Sequence, residues 1–124
     1  MTMEIQIIEG TFSVCKLRDT LSIPADREFY FTAKTDEEFS LVCRTQDAPD
    51  QFLAREDGWR AFRIQGQLDF SLIGILSRLS TLLAEKGIGI FAISTYNTDY
   101  ILTREENFSR AIQALGEAGY TLVP

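Results

Sequence analysis

The sequence predicts a small α+β protein in which short strands alternate with two amphipathic helices. Three observations lead to this class: a 124-residue length that suits one compact body, apolar residues at helical spacing in two segments, and strand-like runs on either side of each segment. Hydrophobic residues make up 45% of the chain and charged residues 24%, the balance of an ordinary globular protein.

The first strand and helix of the C-terminal half are predicted from their periodicity. The run from Trp59 to Gly66 alternates apolar and polar side chains, as a half-buried strand does. Asp69 or Ser71 can then cap the first amides of a helix over residues 71–86, and Gly87 can take the left-handed position that ends it. The apolar face of this helix is a leucine stripe at steps of four, three and four: Leu72, Leu76, Leu79 and Leu83.

A hairpin is predicted after this helix. The run from Ile88 to Tyr96 is apolar on both faces, which is typical of a central, covered strand. Asn97-Thr98-Asp99 supplies turn residues, and Tyr100-Ile101-Leu102 is expected to pair back as the second strand.

A second helix and a last strand complete this half. Thr103 and Glu106 have the spacing of a capping box, which predicts a helix over residues 105–118. Gly119 ends this helix, and Tyr120–Val123 is predicted as a strand. The order β-α-β-β-α-β is the ferredoxin-like, split βαβ arrangement.

The N-terminal half is predicted to be a degenerate copy of the same unit. Five positions repeat at an offset of sixty, so the segment from Phe29 to Arg44 is expected to form the same hairpin. The chain is therefore divided into tandem units at residues 1–58 and 59–124. The matched positions are Phe31, Thr35, Leu41, Val42 and Arg44 with Phe91, Thr95, Ile101, Leu102 and Arg104.

Strands are also predicted upstream of this hairpin, over Ile5–Ile8 and Thr11–Leu17, on either side of Gly10. Pro24–Arg27 and Pro49–Leu53 supply only about one helical turn each, so the helices of this copy are predicted to be shortened.

Composition excludes several classes of function. A net charge of −6 repels a phosphate backbone, so nucleic acid is not an expected partner. The chain has no histidine, which removes the commonest general base and metal ligand, and no metal-binding or cofactor-binding spacing is present. Cys15 and Cys43 are expected to be buried thiols. No apolar stretch approaches the roughly 20 residues that span a bilayer, and without a signal pattern the expected location is the cytoplasm.

Three segments of the C-terminal half form a distinctive combination: Asp69–Gly74 (DFSLIG), Leu82–Ile90 (LLAEKGIGI) and Ser94–Leu102 (STYNTDYIL). Together they resemble the ACT-domain family, small βαββαβ regulatory units of amino-acid metabolism. The likeness is strongest to the tandem-ACT branch that includes the regulatory regions of aspartokinases and the cytosolic arginine sensors.

The resemblance implies non-covalent binding of a free amino acid at an interface between ACT units. The chain is then expected to be a homo-oligomeric, non-catalytic sensor that either acts on a separate protein or stands alone. The helix amides after Asp69–Gly74 can hold a carboxylate, Gly74 lets a ligand approach the backbone, and Asp99 or Asp69 can pair with the ammonium. The expected binding residues are Asp69, Phe70, Ser71, Leu72, Ile73, Gly74, Ser94, Thr95 and Asp99.

Each of these residues also has a purely structural interpretation. Asp69 and Ser71 serve equally well as plain helix caps, and Asp99 as a turn residue. Ser94 and Thr95 suit solvated strand positions.

Two other functions fit the same fold. One is an assembly module that binds no small molecule and pairs through strand edges or helix faces. The other is an acylphosphatase-like hydrolase, which is disfavoured because the loop Gln65–Phe70 carries an aspartate where an anion cradle needs an arginine.

Overall fold

The computed structural model describes residues 3–20, 23–65 and 74–124. Within these ranges the structure has seven strands and two α-helices, in agreement with the predicted α+β class. In chain order they are β1 (Glu4–Leu17), β2 (Tyr30–Lys34), β3 (Phe39–Arg44), a 3-10 helix (Thr45–Asp47), β4 (Ala54–Gln65), α1 (Ile75–Glu85), β5 (Phe91–Ser94), β6 (Asp99–Arg104), α2 (Glu105–Glu117) and β7 (Thr121–Val123).

The chain divides into two compact units, one of which is discontinuous in sequence. The split unit consists of Met1–Glu9 together with Arg60–Pro124, and the inserted unit of Gly10–Trp59. Strands β1 and β4 each run from one unit into the other, so the first residues of β1 are grouped with the C-terminal half of the chain.

The split unit has the predicted element order β4-α1-β5-β6-α2-β7, preceded by the start of β1. Its strands neighbour one another in the order β7-β1-β4-β6-β5. Strand β7 is parallel to β1, with Glu4 opposite Thr121, whereas β5 and β6 are antiparallel, with Phe91 opposite Leu102. The partner of the last strand is therefore the first strand of the chain.

The core of the split unit joins the leucine stripe of α1 to the apolar face of α2. Leu79 and Leu83 of α1 are fully buried, as predicted, and Leu115 of α2 is fully buried beside them. The rings of Phe62 in β4 and Phe108 in α2 lie 6.4 Å apart between centroids. The sheet contributes Ile5, Phe62, Ile64 and Ile101 to this core.

Helix α1 begins later than predicted. Its N-cap position is Gly74, with φ 83°, and the helix starts at Ile75. The predicted cap residues Asp69 and Ser71 lie outside the described residues. The predicted end is confirmed: Gly87 has φ 73°, its N–H donates to Ala84 O at 2.9 Å, and the Ile88 N–H donates to Leu83 O at 2.9 Å. This is the hydrogen-bond pattern of a Schellman motif.

The predicted capping box of α2 is wrong. Arg104, in an extended conformation with φ −59° and ψ 143°, holds the N-cap position. Thr103 is a fully buried residue of β6, so its side chain belongs to the strand rather than to the helix start. The helix end is as predicted, because the Gly119 N–H donates to Gly116 O and the Tyr120 N–H to Leu115 O, both at 3.1 Å.

The strand predicted over Ile88–Tyr96 is shorter and lies at the edge rather than the centre. Strand β5 covers only Phe91–Ser94 and is the last in the strand order. Ile88 is buried as the hydrophobic residue that follows the left-handed glycine of α1, and Tyr96 is fully exposed in the turn. The apolar run therefore covers the end of α1, strand β5 and the hairpin turn. Because its apolar residues serve three different environments, they do not show the alternation of a half-buried strand.

The inserted unit carries the second hairpin. Strands β2 and β3 are antiparallel, with Tyr30 opposite Cys43 and Lys34 opposite Phe39. Strand β3 also pairs with the second part of β1, from Phe12 opposite Arg44 to Leu17 opposite Phe39. Two predicted strands around Gly10 form one continuous strand, in which Gly10 has φ 98°.

The shortened helices of the inserted unit are only partly as predicted. Pro24–Arg27 forms a hydrogen-bonded turn, in which the Arg27 N–H donates to Pro24 O at 3.0 Å. The helical turn predicted at Pro49–Leu53 is wrong, because these residues are not helical. A short 3-10 helix instead comes earlier, at Thr45–Asp47, directly after β3.

The two hairpins repeat each other at the predicted offset of sixty. The pair Lys34–Phe39 that closes the first corresponds to Ser94–Asp99 in the second. Each turn is closed by the same backbone hydrogen bond. The Thr35 N–H donates to Glu38 O in the first hairpin, and the Thr95 N–H donates to Thr98 O in the second, both at 2.9 Å.

Candidate ligand-binding site

The end of the β5–β6 hairpin brings together three of the predicted binding residues. Ser94 and Asp99 are directly opposite each other in the register, and Thr95 is the first residue of the turn. The Thr95 hydroxyl donates to Thr98 O at 2.8 Å, so its hydrogen is used to close the turn. Ser94 is exposed and Asp99 is half-buried, which leaves both side chains within reach of a ligand.

Asp99 lies on the face of the sheet that carries the helices. It is two residues before Ile101 on β6, and residues two apart on a strand point to the same face. Ile101 is fully buried in the core with Leu79 and Leu83 of α1. The carboxylate of Asp99 therefore lies on the rim of the face against which α1 packs.

Thr98 ties the hairpin to β4. Its hydroxyl donates to Ile64 O at 2.6 Å, and Ile64 is the second-last residue of β4. The hairpin end is thereby fixed beside the end of β4. From the sequence Thr98 is predicted only as a turn residue, because no sequence signal distinguishes a turn hydroxyl that bonds to a neighbouring strand.

Arg63 is a second residue that sequence analysis missed. Its guanidinium donates to Gln65 Oε1 at 2.8 Å and to the Tyr100 hydroxyl at 3.1 Å, and it lies 5.8 Å from the centre of the Tyr100 ring. Because Arg63 alternates with the buried Ile64, it is on the opposite face of the sheet from α1. It therefore braces β6 next to Asp99 from the other side.

The fourth described residue of the predicted site is Gly74, which lies at the N-cap of α1. The Arg78 N–H donates to Gly74 O at 2.8 Å, the first hydrogen bond of α1. The amides of Ile75, Leu76 and Ser77 precede that bond, so they have no acceptor within the helix and form its positive end. A Cβ built on Gly74 meets no described atom within 4 Å.

The other five predicted binding residues, Asp69, Phe70, Ser71, Leu72 and Ile73, lie outside the described residues. Of the predicted site, the structure therefore describes the start of α1 and the end of the hairpin, both in the split unit.

The inserted unit contains a polar cluster that was not predicted. Ser13 is fully buried, and its hydroxyl is 2.5 Å from Asp57 Oδ1 and 2.9 Å from the Thr45 hydroxyl. Arg55 Nε donates to Asp57 Oδ1 at 2.8 Å. The hydrogen bond from Arg55, followed by that from Ser13, lowers the pKa of Asp57.

The two thiols are buried in the inserted unit, as predicted. Desolvation by burial, with a smaller contribution from Cys15, raises the pKa of Cys43 to about 12. Burial also raises the pKa of Cys15. Thiolates are the reactive form, so these cysteines are poor nucleophiles in the folded protein.

In the part of the chain that the structure describes, no three His, Cys, Asp or Glu side chains are grouped so that they could hold a metal ion. No helix within residues 3–20, 23–65 or 74–124 is long and apolar enough to cross a membrane.

A sequence profile described as the ACT domain matches residues 54–117, more than half of the chain. The chain belongs to the ACT-domain family. The match to the ACT domain runs from the start of β4 to the end of α2, so it includes Gly74, Ser94, Thr95 and Asp99.

Solved structures share the fold of this ACT-family chain over nearly its whole length. Protein Atu0741 of Agobacterium tumefaciens is 28% identical, with a TM-score of 0.88 over 99% of this chain and 93% of that one. Protein VC0802 of Vibrio cholerae, described as of unknown function and a possible transport protein, is 25% identical, with a TM-score of 0.75 over 94% and 89%.

An aspartate kinase also shares this fold, which confirms the resemblance to aspartokinase regulatory regions at the level of structure. The Clostridium acetobutylicum enzyme is 14% identical, with a TM-score of 0.71. The match covers 94% of this chain but only 34% of the kinase, so this chain corresponds to about a third of that enzyme.

Proposed function

We propose that this chain is a non-catalytic regulatory module that binds a free amino acid. The amides at the start of α1, beside Gly74, would hold the ligand carboxylate, and Asp99 would accept hydrogen bonds from its ammonium group. Ser94 would add a hydroxyl at the rim, and Thr95 would keep the turn closed. Asp69, Phe70, Ser71, Leu72 and Ile73 complete the proposed set.

One observation carries this proposal: the position of Asp99 on the helix-bearing face of the sheet. A carboxylate at that rim and a helix N-terminus on the same face offer opposite charges, and these match the two charged groups of an α-amino acid. Thr98 supports the arrangement because it fixes the hairpin to β4 at 2.6 Å.

The comparisons supply independent support. The family match spans all four described site residues, and the kinase that shares the fold is described as an allosteric enzyme for amino-acid production. A chain of this family without a histidine suits regulation better than proton transfer.

The proposal has a wider part. The repeated hairpins support a pair of tandem ACT-type units, at residues 1–58 and 59–124 by sequence, of which the first is degenerate. By compactness residues Met1–Glu9 belong with the second unit, because Glu4–Gln6 pair with β7. We propose that the module is a cytoplasmic homo-oligomer. Because the proposal assigns it no catalytic residue, it would act by regulating a separate protein.

A thermal-shift screen of the twenty amino acids tests the proposal directly. A ligand present at about 100 times its Kd stabilises a folded protein by about 2.7 kcal/mol, which is easily measured as a rise in Tm. Calorimetry with the strongest amino acid then gives its Kd. The sensor function fails if no amino acid binds more tightly than about 1 mM, roughly −4.1 kcal/mol.

Replacing Asp99 by asparagine tests the ammonium contact. Asp99→Asn should weaken binding of that amino acid by about 1.5–3 kcal/mol, because one charge-assisted hydrogen bond is lost. Glu85→Gln is the matched control, since it removes an exposed carboxylate at the far end of α1. Equal losses in the two variants would show that net charge, rather than the contact, controls affinity.

Replacing Gly74 by asparagine tests the carboxylate end. Asparagine tolerates the left-handed conformation that Gly74 adopts, whereas valine is strained there, so Gly74→Asn adds bulk with less damage to the fold than Gly74→Val. Binding should fall at least tenfold. Gly87→Asn, at the other end of the same helix and also left-handed, should leave binding unchanged.

A second candidate is an assembly module without a small-molecule ligand. The fully exposed Tyr96 in the hairpin turn and the edge position of β5 favour it, since aromatic side chains and strand edges are common in protein interfaces. Size-exclusion chromatography over a concentration series, with Tyr96→Ser as the variant, separates the two functions. Assembly that depends on Tyr96, together with no amino-acid binding, would favour this candidate.

A further inference from the structure

A groove on the helix side of the split unit is separate from the hairpin residues of the proposed amino-acid site. Its volume is about 500 Å³, within the range of small-molecule sites. One wall is the face of α1 that presents Ile75, Arg78 and Leu82, spaced three and four residues apart. The other wall is Met3 with the segment Ala118–Tyr120, which follows α2.

Both walls of the groove are held by the core and by backbone hydrogen bonds. The Thr121 N–H donates to Met3 O at 2.9 Å, and the Tyr120 N–H donates to Leu115 O at 3.1 Å. Met3, Leu82 and Tyr120 pack against the core cluster, so the apolar floor of the groove is continuous with the interior. Gly119, with φ 102°, has open space where a Cβ would be.

The charges of the groove distinguish its ligand from an amino acid. Among the described residues that line it, Arg78 carries a positive charge and the others are apolar, apart from the hydroxyl of Tyr120. A carboxylate would pair with the Arg78 guanidinium, and an apolar tail would lie on Leu82 and Met3. Among the described residues that form these walls none is a carboxylate, so an α-ammonium group there would lose its hydration without compensation from them.

We propose that this groove binds a small monocarboxylate with an apolar tail and no ammonium group, through Arg78 and the apolar floor between α1 and β7. This is a second ligand class for the protein. The groove meets the start of α1 at Ile75, but its ligand is held by the Arg78 side chain and the apolar floor rather than by the helix amides and Asp99.

The matched pair hexanoate and norleucine tests the proposal, because the two differ only in the α-ammonium group. Each is titrated into the full chain and followed by amide chemical shifts in nuclear magnetic resonance. Hexanoate should shift the amides of Arg78, Gly119 and Tyr120, and norleucine should bind this groove at least tenfold more weakly. Butanoate should bind about fourfold more weakly per methylene removed, because less apolar surface is buried.

Arg78→Gln should weaken hexanoate binding about tenfold, since the charge-assisted pair is lost. Lys86→Gln removes a positive charge from the other end of the same helix and should leave the affinity unchanged. Circular dichroism of both variants confirms that they are folded. The proposal is overturned if the two variants bind hexanoate equally, if norleucine matches hexanoate at these amides, or if hexanoate does not bind below about 10 mM.

Coverage of the groove by a second copy of the chain is a further outcome of the same experiment. In that case the chain would elute as a dimer in size-exclusion chromatography and hexanoate would not shift the amides of Arg78, Gly119 and Tyr120, which would also overturn the proposal. None of these results relies on Asp99, so failure here is distinguishable from failure of the amino-acid function.

Discussion

At the scale of single residues, the contribution of a side chain to stability depends on its burial more than on its residue type. Leu79 and Leu53 are both leucines, but the first is fully buried in the core of the split unit and the second is 52% exposed. The periodicity of the leucine stripe predicted the first, because i, i+3 and i+4 spacing places a residue on the inner face of a helix.

Leu79→Ala should lower the free energy of unfolding by about 2–5 kcal/mol, because it removes buried methyl groups and leaves a cavity. Leu53→Ala, at an exposed position, should change it by less than about 0.5 kcal/mol. Urea unfolding monitored by fluorescence measures both. Similar losses in the two variants would contradict the assignment of Leu79 to the core.

Asp57 should make stability depend on pH in the acid range. Its pKa is lowered in the folded state by Arg55 and Ser13, so the ionised form stabilises the folded protein. This contribution is present above the unfolded value of about 3.9 and is lost as the pH falls through the lower, folded value.

The stability difference between wild type and Asp57→Asn should therefore shrink as the pH is lowered below about 4. Urea unfolding at a series of pH values measures it, and Arg55→Gln should reduce the same pH dependence. A difference that stays constant from neutral to acid pH would show that the carboxylate of Asp57 is not linked to folding.

At the scale of secondary-structure elements, helix ends were easier to predict than helix starts. The ends at Gly87 and Gly119 are as expected, since the left-handed position after a helix favours glycine. The starts are not, because many residue types occupy the N-cap: Gly74 and Arg104 hold these positions instead of the predicted aspartate, serine or threonine.

Two glycines near the end of α1 form a matched pair that measures the preference for glycine at a left-handed position. Gly87→Ala should destabilise the protein by about 1–2 kcal/mol, because alanine is strained at φ 73°. Gly89→Ala should leave stability unchanged or raise it by about 0.4–1 kcal/mol, because Gly89 does not have positive φ. A Cβ at either position meets no described atom within 4 Å, so thermal unfolding of the two variants compares backbone strain alone.

At the scale of the whole molecule, the split unit depends on both ends of the chain. Ile5 is fully buried in its core, and residues Glu4–Gln6 pair with Thr121–Val123 of β7. Gln6 Nε2 also donates to Pro124 O at 2.9 Å. The last strand of the C-terminal half therefore obtains its partner from residues that precede the inserted unit.

Residues 60–124 expressed alone should lack a cooperative unfolding transition, because β7 would lose its partner and the core would lose Ile5. Residues 1–9 joined to 60–124 by a Gly/Ser linker should restore it. Calorimetry and urea unfolding of both fragments make the comparison. Equal stability of the two fragments would show that β1 is dispensable for the split unit.

The sequence by itself determined the α+β class, the apolar stripe of α1, the two helix ends and the repeated hairpins. All of these are set by contacts between residues close together along the chain, which leave a periodic or turn-type signal. The sequence also predicted the ACT-domain family, which the profile match confirms, whereas the assignment of Gly74, Ser94, Thr95 and Asp99 to a binding site stays a prediction.

Only the tertiary structure decided the pairing of β7 with β1, the edge position of β5, the bond from Thr98 to Ile64 and the Arg78 groove. These features join residues that are distant along the chain. Their geometry depends on how the helices pack on the sheet, and strand neighbours, exposed faces and groove walls leave no periodic signal in the sequence.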